Sequence, residues 1–348
     1  MRVGNQEFLD VAAVAAYKPQ KDRLFFSAEH SEIKSGLTAD VYFVKTYELL
    51  KKMGRLDAPV VAEIFTSRAG VLAGTAECLN LLAGTGVKVW GLPEGENFAE
   101  KEVVMRIEGP YGAFGMYETA LLGILASSSA WATAARTCRD AAGDVPVYCF
   151  AARHVHPAVA PVLERAAVIG GLRGASCILG AKLAGQEPTG TIPHAAVLLG
   201  GDTVAVAKVY DEIMPPGQPR TILVDTFHDE AEESLRVARA LGPRLQAVRL
   251  DTPSERGGVT PDLVREVRAR LDQAGFSHVR VFVSGRVTPE RIPALVQAGA
   301  AAFGVGSYIS AAPPIDMTMD VKEIEGQPVA KRGRIPGRTP NPRLVPLM

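Results

Sequence analysis

From residue 145 to residue 305 the chain repeats one pattern that leaves few folds open. Short β-branched runs (Val145–Phe150, Thr221–Val224, Ala247–Leu250, Val279–Val283 and Ala301–Val305) alternate with amphipathic segments at about 203–213, 229–241, 260–274 and 288–298. Strands separated by helices in this way run parallel, because each crossover helix carries the chain back to start the next strand in the same direction. Asp202, Thr260-Pro261 and Thr288-Pro289 mark helix starts, with a capping side chain before the first turn or Pro inside it. The fold class predicted is α/β, either an open doubly wound sheet or an incomplete β/α (TIM-like) barrel. The Gly-rich turns after the last two strands favour the barrel.

The first hundred residues mix elements. Gly36 to Met53 carries apolar residues at helical spacing and stops at Gly54; Gly70 to Ala83 reads as a second helix. Val60–Phe65, Val87–Leu92 and Lys101–Glu108 read as strands, and Gly109-Pro110-Tyr111-Gly112 marks a boundary before a long helix near 116–142. Beyond Pro313-Pro314 the alternation stops. Val321 to Val329 fits a hairpin, and the Pro-, Gly- and Arg-rich end reads as extended surface chain.

Composition removes several classes. Thirty-eight basic residues balance 38 acidic ones, so the chain lacks the surplus positive charge of a general nucleic-acid binder. The longest uncharged run, Thr119 to Ala135, has serines at its middle and falls short of the ~20 apolar residues of a membrane span. The apolar run near the start, Val11 to Ala16, is too short for a signal peptide. Cys78, Cys138, Cys149 and Cys177 form no CxxC pair and read as reduced thiols. The expectation is a cytoplasmic protein with neither nucleic-acid nor membrane partners.

Chemistry gathers where the predicted strands end, which in parallel α/β folds is where ligands bind. The first strand runs into Arg153-His154-Val155-His156, the second into Asp225-Thr226, and the third carries Arg249 and ends in Asp251-Thr252. The fourth ends in Ser284-Gly285 and the fifth in Gly304-Val305-Gly306-Ser307. Glycine lets backbone N–H groups approach an anion, so this last pair of turns suits a phosphate. Asp225 and Asp251, on neighbouring strands, suit sugar hydroxyls or a shared Mg²⁺; taken alone Asp225 reads as a helix cap, but beside a phosphate site and Arg153 the ligand role is preferred. His154 and His156 alternate, so one of them faces the site. His194, in Gly190-Thr191-Ile192-Pro193-His194, reads on spacing alone as a structural histidine rather than as a nucleophile or base, although a neutral imidazole is competent for either.

Taken in order, these segments resemble the nicotinate phosphoribosyltransferase family of type II phosphoribosyltransferases. Thr38-Ala39-Asp40-Val41-Tyr42-Phe43 is similar to that family's early helix motif, and Phe150-Ala151-Ala152-Arg153 before His156-Pro157 to its first barrel-strand motif. The resemblance runs from about 35 to about 335. It implies a small α/β domain of residues 1–110 completed by 313–348, and a barrel-like phosphoribosyl pyrophosphate-binding domain of 111–312. It implies that nicotinate and phosphoribosyl pyrophosphate give nicotinate mononucleotide and pyrophosphate, with Mg²⁺ and with ATP hydrolysed as co-substrate. It implies a homodimer or larger assembly with sites at the interface.

By the same resemblance His194 is the phosphorylated catalytic residue. Arg153, Asp225, Arg249, Asp251, Ser284, Gly285, Gly304, Gly306 and Ser307 bind phosphoribosyl pyrophosphate, Asp225 and Asp251 also taking the metal. Thr191 and Tyr42 or Phe43 bind nicotinate, the aromatic ring reaching it from the neighbouring subunit. The chain departs from the family pattern at Ser254-Glu255-Arg256-Gly257-Gly258 and at Arg286, and without a cysteine after Cys177 it has no C-terminal zinc knuckle. Other readings are a quinolinate or nicotinamide enzyme, a sugar-phosphate isomerase or aldolase using Lys182, and an inactive phosphate-binding regulator.

Overall fold

The computed structural model describes residues 10–348, which form two compact units. The first takes the residues up to Thr133 together with Pro313–Met348; the second is Ala134–Ala312.

The first unit is built on a six-stranded antiparallel sheet. Its order is Gln327–Pro328, Met317–Ile324, Pro59–Thr66, Val103–Pro110, Lys88–Gly91, Val345–Pro346. Pro59–Thr66 lies at its centre, and its near-continuous apolar run is buried on both faces. The exception is Glu63, buried and held by Arg106 Nη2 at 2.7 Å and by the Thr339 backbone N–H at 3.0 Å. The expected hairpin is present, Ile324 facing Gln327.

The C-terminal stretch is laced to this sheet rather than loose on the surface. Arg338 pairs with Glu108 and Glu323, Arg343 with Glu102 and Glu96, and Arg334 with Asp320. The helix expected from Gly70 is shorter. Gly70–Val71 forms a strand, Gly74 adopts φ +95°, and the helix proper is Thr75–Leu82. The long helix spans Glu118–Ala142. The division between the units falls within it, at Thr133/Ala134, rather than at 110/111. Its first half belongs to the first unit: Ser129 and Thr133 accept from the N–H groups of Ala73 (3.2 Å) and Val71 (2.8 Å).

The second unit holds six parallel strands in the order Gly174–Ala175, Val147–Cys149, Ala300–Val305, Arg280–Val283, Leu245–Leu250, Arg220–Leu223. In chain order this reads 2-1-6-5-4-3. The first strand pairs with the last, as when a barrel closes, and the ring is open between the second and third strands. This is the expected incomplete barrel. Gly174–Ala175 escaped sequence reading, being a two-residue strand with no β-branched residue. Across the opening run the short helices Ile178–Leu183 and His194–Gly200, then Thr203–Ile213.

Caps decide which acidic groups are free for chemistry. Asp202 and Thr260 cap as expected, accepting from Ala205 N–H at 2.9 Å and Leu263 N–H at 3.2 Å. The helix expected from Thr288-Pro289 starts only at Ile292, with Pro293 in its first turn. Asp229 caps the helix after the third strand (Arg220–Leu223), so Asp225 is not its cap.

Candidate active site

The strand ends of the second unit surround a cavity of about 510 Å³. Arg153, Thr191, Arg249, Asp251, Ser284, Gly285, Gly304, Gly306 and Ser307 all line it. A second cavity of about 550 Å³, bounded by the 252–258 loop, shares Arg153, Asp251, Gly285 and Arg286 with the first.

Arg249 organises the centre. Nε donates to Ser284 Oγ at 2.8 Å, Nη1 to Thr191 Oγ1 at 2.6 Å and Nη2 to Asp251 Oδ2 at 2.9 Å. Its guanidinium also lies over the Phe150 ring, 5.4 Å from the centroid. Burial draws the Arg249 pKa down, and the Asp251 and Asp225 carboxylates oppose that. One planar fork thus fixes groups from three strand ends and the 190–194 segment.

The two aspartates have different surroundings. Asp225 is almost fully buried; one oxygen accepts from the Asp251 N–H at 3.0 Å, and Oδ1 has no hydrogen-bond partner among the described residues. Burial pushes its pKa up, and nearby His194 pulls it back. Asp251 is held by Arg249 and Ser284. A buried carboxylate oxygen with no partner carries a desolvation penalty that a cation offsets. Among the described residues no cluster of three or more His, Cys, Asp or Glu side chains could cage a metal. Two neighbouring carboxylates, one with a buried oxygen lacking a partner, have the chemistry to fit a cation such as Mg²⁺, which is commonly held by one or two carboxylates plus phosphate oxygens.

His194 is the first residue of its helix and is partly exposed. Nδ1 lies 3.1 Å from Thr226 Oγ1, while Nε2 faces Asp225 and Asp251 at 3.9 and 3.8 Å. The structure thus sets His194 beside both carboxylates.

The glycines differ in what they do. A Cβ on Gly304 would strike the Phe150 ring at 2.5 Å, so Gly304 makes room for packing as well as for the cavity. A Cβ on Gly306 would meet the Phe150 carbonyl oxygen at 2.5 Å and His154 Cε1 at 2.6 Å. Gly285, at φ +80°, lies against Asp251 Oδ1. Among the described residues the N–H groups of Gly285, Arg286, Gly306 and Ser307 donate to no protein acceptor. Four free donors on two adjacent turns suit a phosphate.

Of the two alternating histidines it is His154 that lines the cavity. Phe150, Ser176 and Arg286, which the sequence did not assign to the site, line it as well. Glu164, fully buried on the Ala160–Ile169 helix, accepts from the N–H groups of Ala151 and Ala152 at 3.0 Å each. It also accepts from Ser176 Oγ at 2.9 Å and Cys177 N–H at 2.5 Å. It braces the loops that carry Arg153 and Ser176. The sequence gives no sign of this role, because its partners come from two separate loops.

The aromatic pair separates. Phe43 is buried in the first unit's own core with Val44 and Met116, which removes it as a ligand plate; Tyr42 is exposed. Lys182 is exposed and ion-paired with Glu187, unlike a desolvated Schiff-base lysine. All four cysteines are free, and no helix among the described residues is long and apolar enough to cross a membrane.

Comparison with known proteins supplies the family. Residues 40–129 match the quinolinate phosphoribosyl transferase N-terminal domain, and residues 131–320 match its C-terminal domain. The nicotinate phosphoribosyltransferase pncB1 of Mycobacterium tuberculosis is 29% identical over 342 residues, 86% of this chain and 75% of that one. The crystal structure of nicotinate-nucleotide pyrophosphorylase from Pyrococcus furiosus superposes with a TM-score of 0.86 at 45% identity, covering 91% of this chain and 82% of that one. Human nicotinic acid phosphoribosyltransferase, at 19% identity and a TM-score of 0.67 over 86% of this chain and 77% of that one, shares the fold. With both domains matched in order, the chain belongs to the quinolinate and nicotinate, or type II, phosphoribosyltransferase family and is a phosphoribosyltransferase.

Proposed function

We propose that the chain is a nicotinate phosphoribosyltransferase of NAD salvage, making nicotinate mononucleotide and pyrophosphate and coupling this to ATP hydrolysis through a phosphohistidine at His194. The observation that carries the reading is the setting of His194. Nδ1 lies within hydrogen-bond distance of the Thr226 hydroxyl and Nε2 faces Asp225 and Asp251; in the tautomer in which Nδ1–H donates to Thr226, Nε2 keeps its lone pair. That nitrogen is available to take a phosphoryl group beside the site that holds the phosphoribosyl substrate. Curated relatives named nicotinate phosphoribosyltransferase, including one from Bacillus subtilis at 30% identity over 225 residues, support the pyridine.

The transfer passes through a sugar centre that develops positive charge as pyrophosphate leaves. The protein's part is to place the reactants and neutralise the leaving group. Gly285, Gly306 and Ser307 offer N–H donors to the 5′-phosphate, and Arg153 meets phosphate. Asp225 and Asp251 hold the ribose side and would hold Mg²⁺, which when bound supplies charge neutralisation to the pyrophosphate. Thr191, tied to Arg249, and an exposed Tyr42 are the nicotinate contacts. Exposed Ile178, Leu179, Leu183, Leu198 and Leu199 on helices at the barrel opening support self-association, with Tyr42 supplied by a second copy.

Quinolinate is the second reading, because the matched family carries that name. The test is product formation from phosphoribosyl pyrophosphate with nicotinate, quinolinate or nicotinamide, with and without ATP. ATP-stimulated nicotinate mononucleotide, with stimulation lost in His194→Ala, is expected. Turnover of quinolinate alone, or unchanged ATP stimulation in His194→Ala, refutes the corresponding half.

A further inference from the structure

Arg286 occupies a conformation that arginine rarely adopts. It follows Gly285 in the turn after the Arg280–Val283 strand, and the two residues have φ +49° and +80°. Glycine takes this left-handed region freely, whereas a side chain at Cβ is crowded there. The turn is held in place by Arg291, whose guanidinium donates to the Arg286 carbonyl at 2.7 Å and to the Val259 carbonyl at 2.5 Å. The chain thus keeps a bulky cationic residue where glycine would be unstrained, and strain retained at a site points to use of the side chain.

The surroundings indicate the use. Arg286 lines both cavities, and so does Arg153. Among the described residues neither guanidinium has a hydrogen-bond or ion-pair partner, whereas that of Arg249 has three. The residues lining the first cavity include three arginines, Arg153, Arg249 and Arg286, against a single acidic residue, Asp251. The second cavity adds Glu255, an exposed counter-charge within reach of the Arg286 field. The N–H groups of Gly285 and Arg286 are also without protein acceptors. A planar fork with five donors, beside free backbone donors, matches a phosphoryl group.

We propose that Arg286 is a phosphate ligand of this site, gripping a phosphoryl end of the phosphoribosyl substrate together with Arg153 from the rim shared by the two cavities. This rests on the cavity being the phosphoribosyl pyrophosphate site. It does not depend on which pyridine is used or on ATP. The substrate offers two such ends, the 5′-phosphate and the pyrophosphate, with the same oxygen chemistry.

Arg286→Gly is the informative variant, because it deletes the guanidinium and relieves the backbone at once. The full-length protein and this variant would be titrated calorimetrically with ribose 5-phosphate and, separately, with inorganic pyrophosphate, both with Mg²⁺. The expected result is unchanged or higher Tm and an affinity about 10–100-fold weaker for one ligand, as for a lost charged hydrogen bond. Loss confined to ribose 5-phosphate assigns Arg286 to the 5′ end; loss confined to pyrophosphate assigns it to the leaving group. Arg286→Lys, which keeps charge without the fork, should fall between, and Arg153→Ala should weaken the same ligand. Equal binding of both ligands by wild type and Arg286→Gly overturns the proposal and leaves the site standing. A wild-type protein that binds neither ligand overturns the site reading, and the proposal with it.

Discussion

Glu118 opens the Glu118–Ala142 helix and is largely buried. Burial and the Asp320 carboxylate push its carboxyl up to about 7, from an ordinary 4.5, against the pull of Lys331. The sign of the pH effect follows. Below 4.5 Glu118 is protonated whether the chain is folded or not, and the burial of its charge has no effect. Between 4.5 and about 7 the unfolded chain loses the proton first, so stability falls as pH rises. Above about 7 the folded state must ionise as well, and the penalty is complete. At about 1.4 kcal/mol per pH unit the gap is worth roughly 3 kcal/mol, an upper figure because the side chain keeps some contact with water. The helix start favours the anion by only about 0.3–1 kcal/mol, too little to reverse the sign.

Glu118→Gln keeps the shape and removes the charge. It should raise the stability of the first unit by roughly 1–3 kcal/mol at pH 8 and leave it unchanged near pH 4. Urea unfolding of both proteins at the two pH values, followed by the fluorescence of Trp90 and Trp131, both in the first unit, measures this. An equal gain at both pH values, or no gain at pH 8, refutes the assignment of the burial penalty to the ionised form.

Other outcomes follow from the site. Gly306→Ala forces a Cβ to within 2.5 Å of the Phe150 carbonyl; overpacking should cost about 1–3 kcal/mol and raise KM for phosphoribosyl pyrophosphate, so an unchanged KM would contradict its place at the phosphate. Glu164→Gln puts an N–H₂ group where four donors converge and should destabilise the second unit by about 1–3 kcal/mol. Its KM for phosphoribosyl pyrophosphate should rise while KM for the pyridine holds; equal rises would reduce Glu164 to general structure. Chelation with EDTA should stop turnover, reversibly with Mg²⁺, and leave Tm unchanged, because no protein-only metal cage is present among the described residues. A Tm that drops on chelation would require a structural metal.

The parts of the site that were legible in the sequence are those where local pattern and role coincide. Asp225, Asp251 and Ser284 stand just past runs of Val, Ile and Leu, so the strand end and the polar residue were read together. Tertiary placement decided the rest. Phe43 and Tyr42 are adjacent on one helix, and only packing against Met116 makes the first a core residue. Glu164 carried no local signal, because the four donors it satisfies come from two other loops. Gly304 was read for the anion it could approach, whereas the ring of Phe150 also needs its missing Cβ. Arg286 carries no periodic or spacing signal, since its significance lies in a backbone angle.

The strand order has a consequence for synthesis on the ribosome. Val147–Cys149 has its partner on one side in Ala300–Val305, and Pro59–Thr66 has one of its two in Met317–Ile324. Each unit therefore waits for chain made much later, and the first is sealed only when Val345–Pro346 reaches Lys88–Gly91. Until then unpaired strand edges of both units stand open. A nascent chain stalled before residue 300 holds neither finished sheet, and the two units mature near the end of translation rather than one after the other.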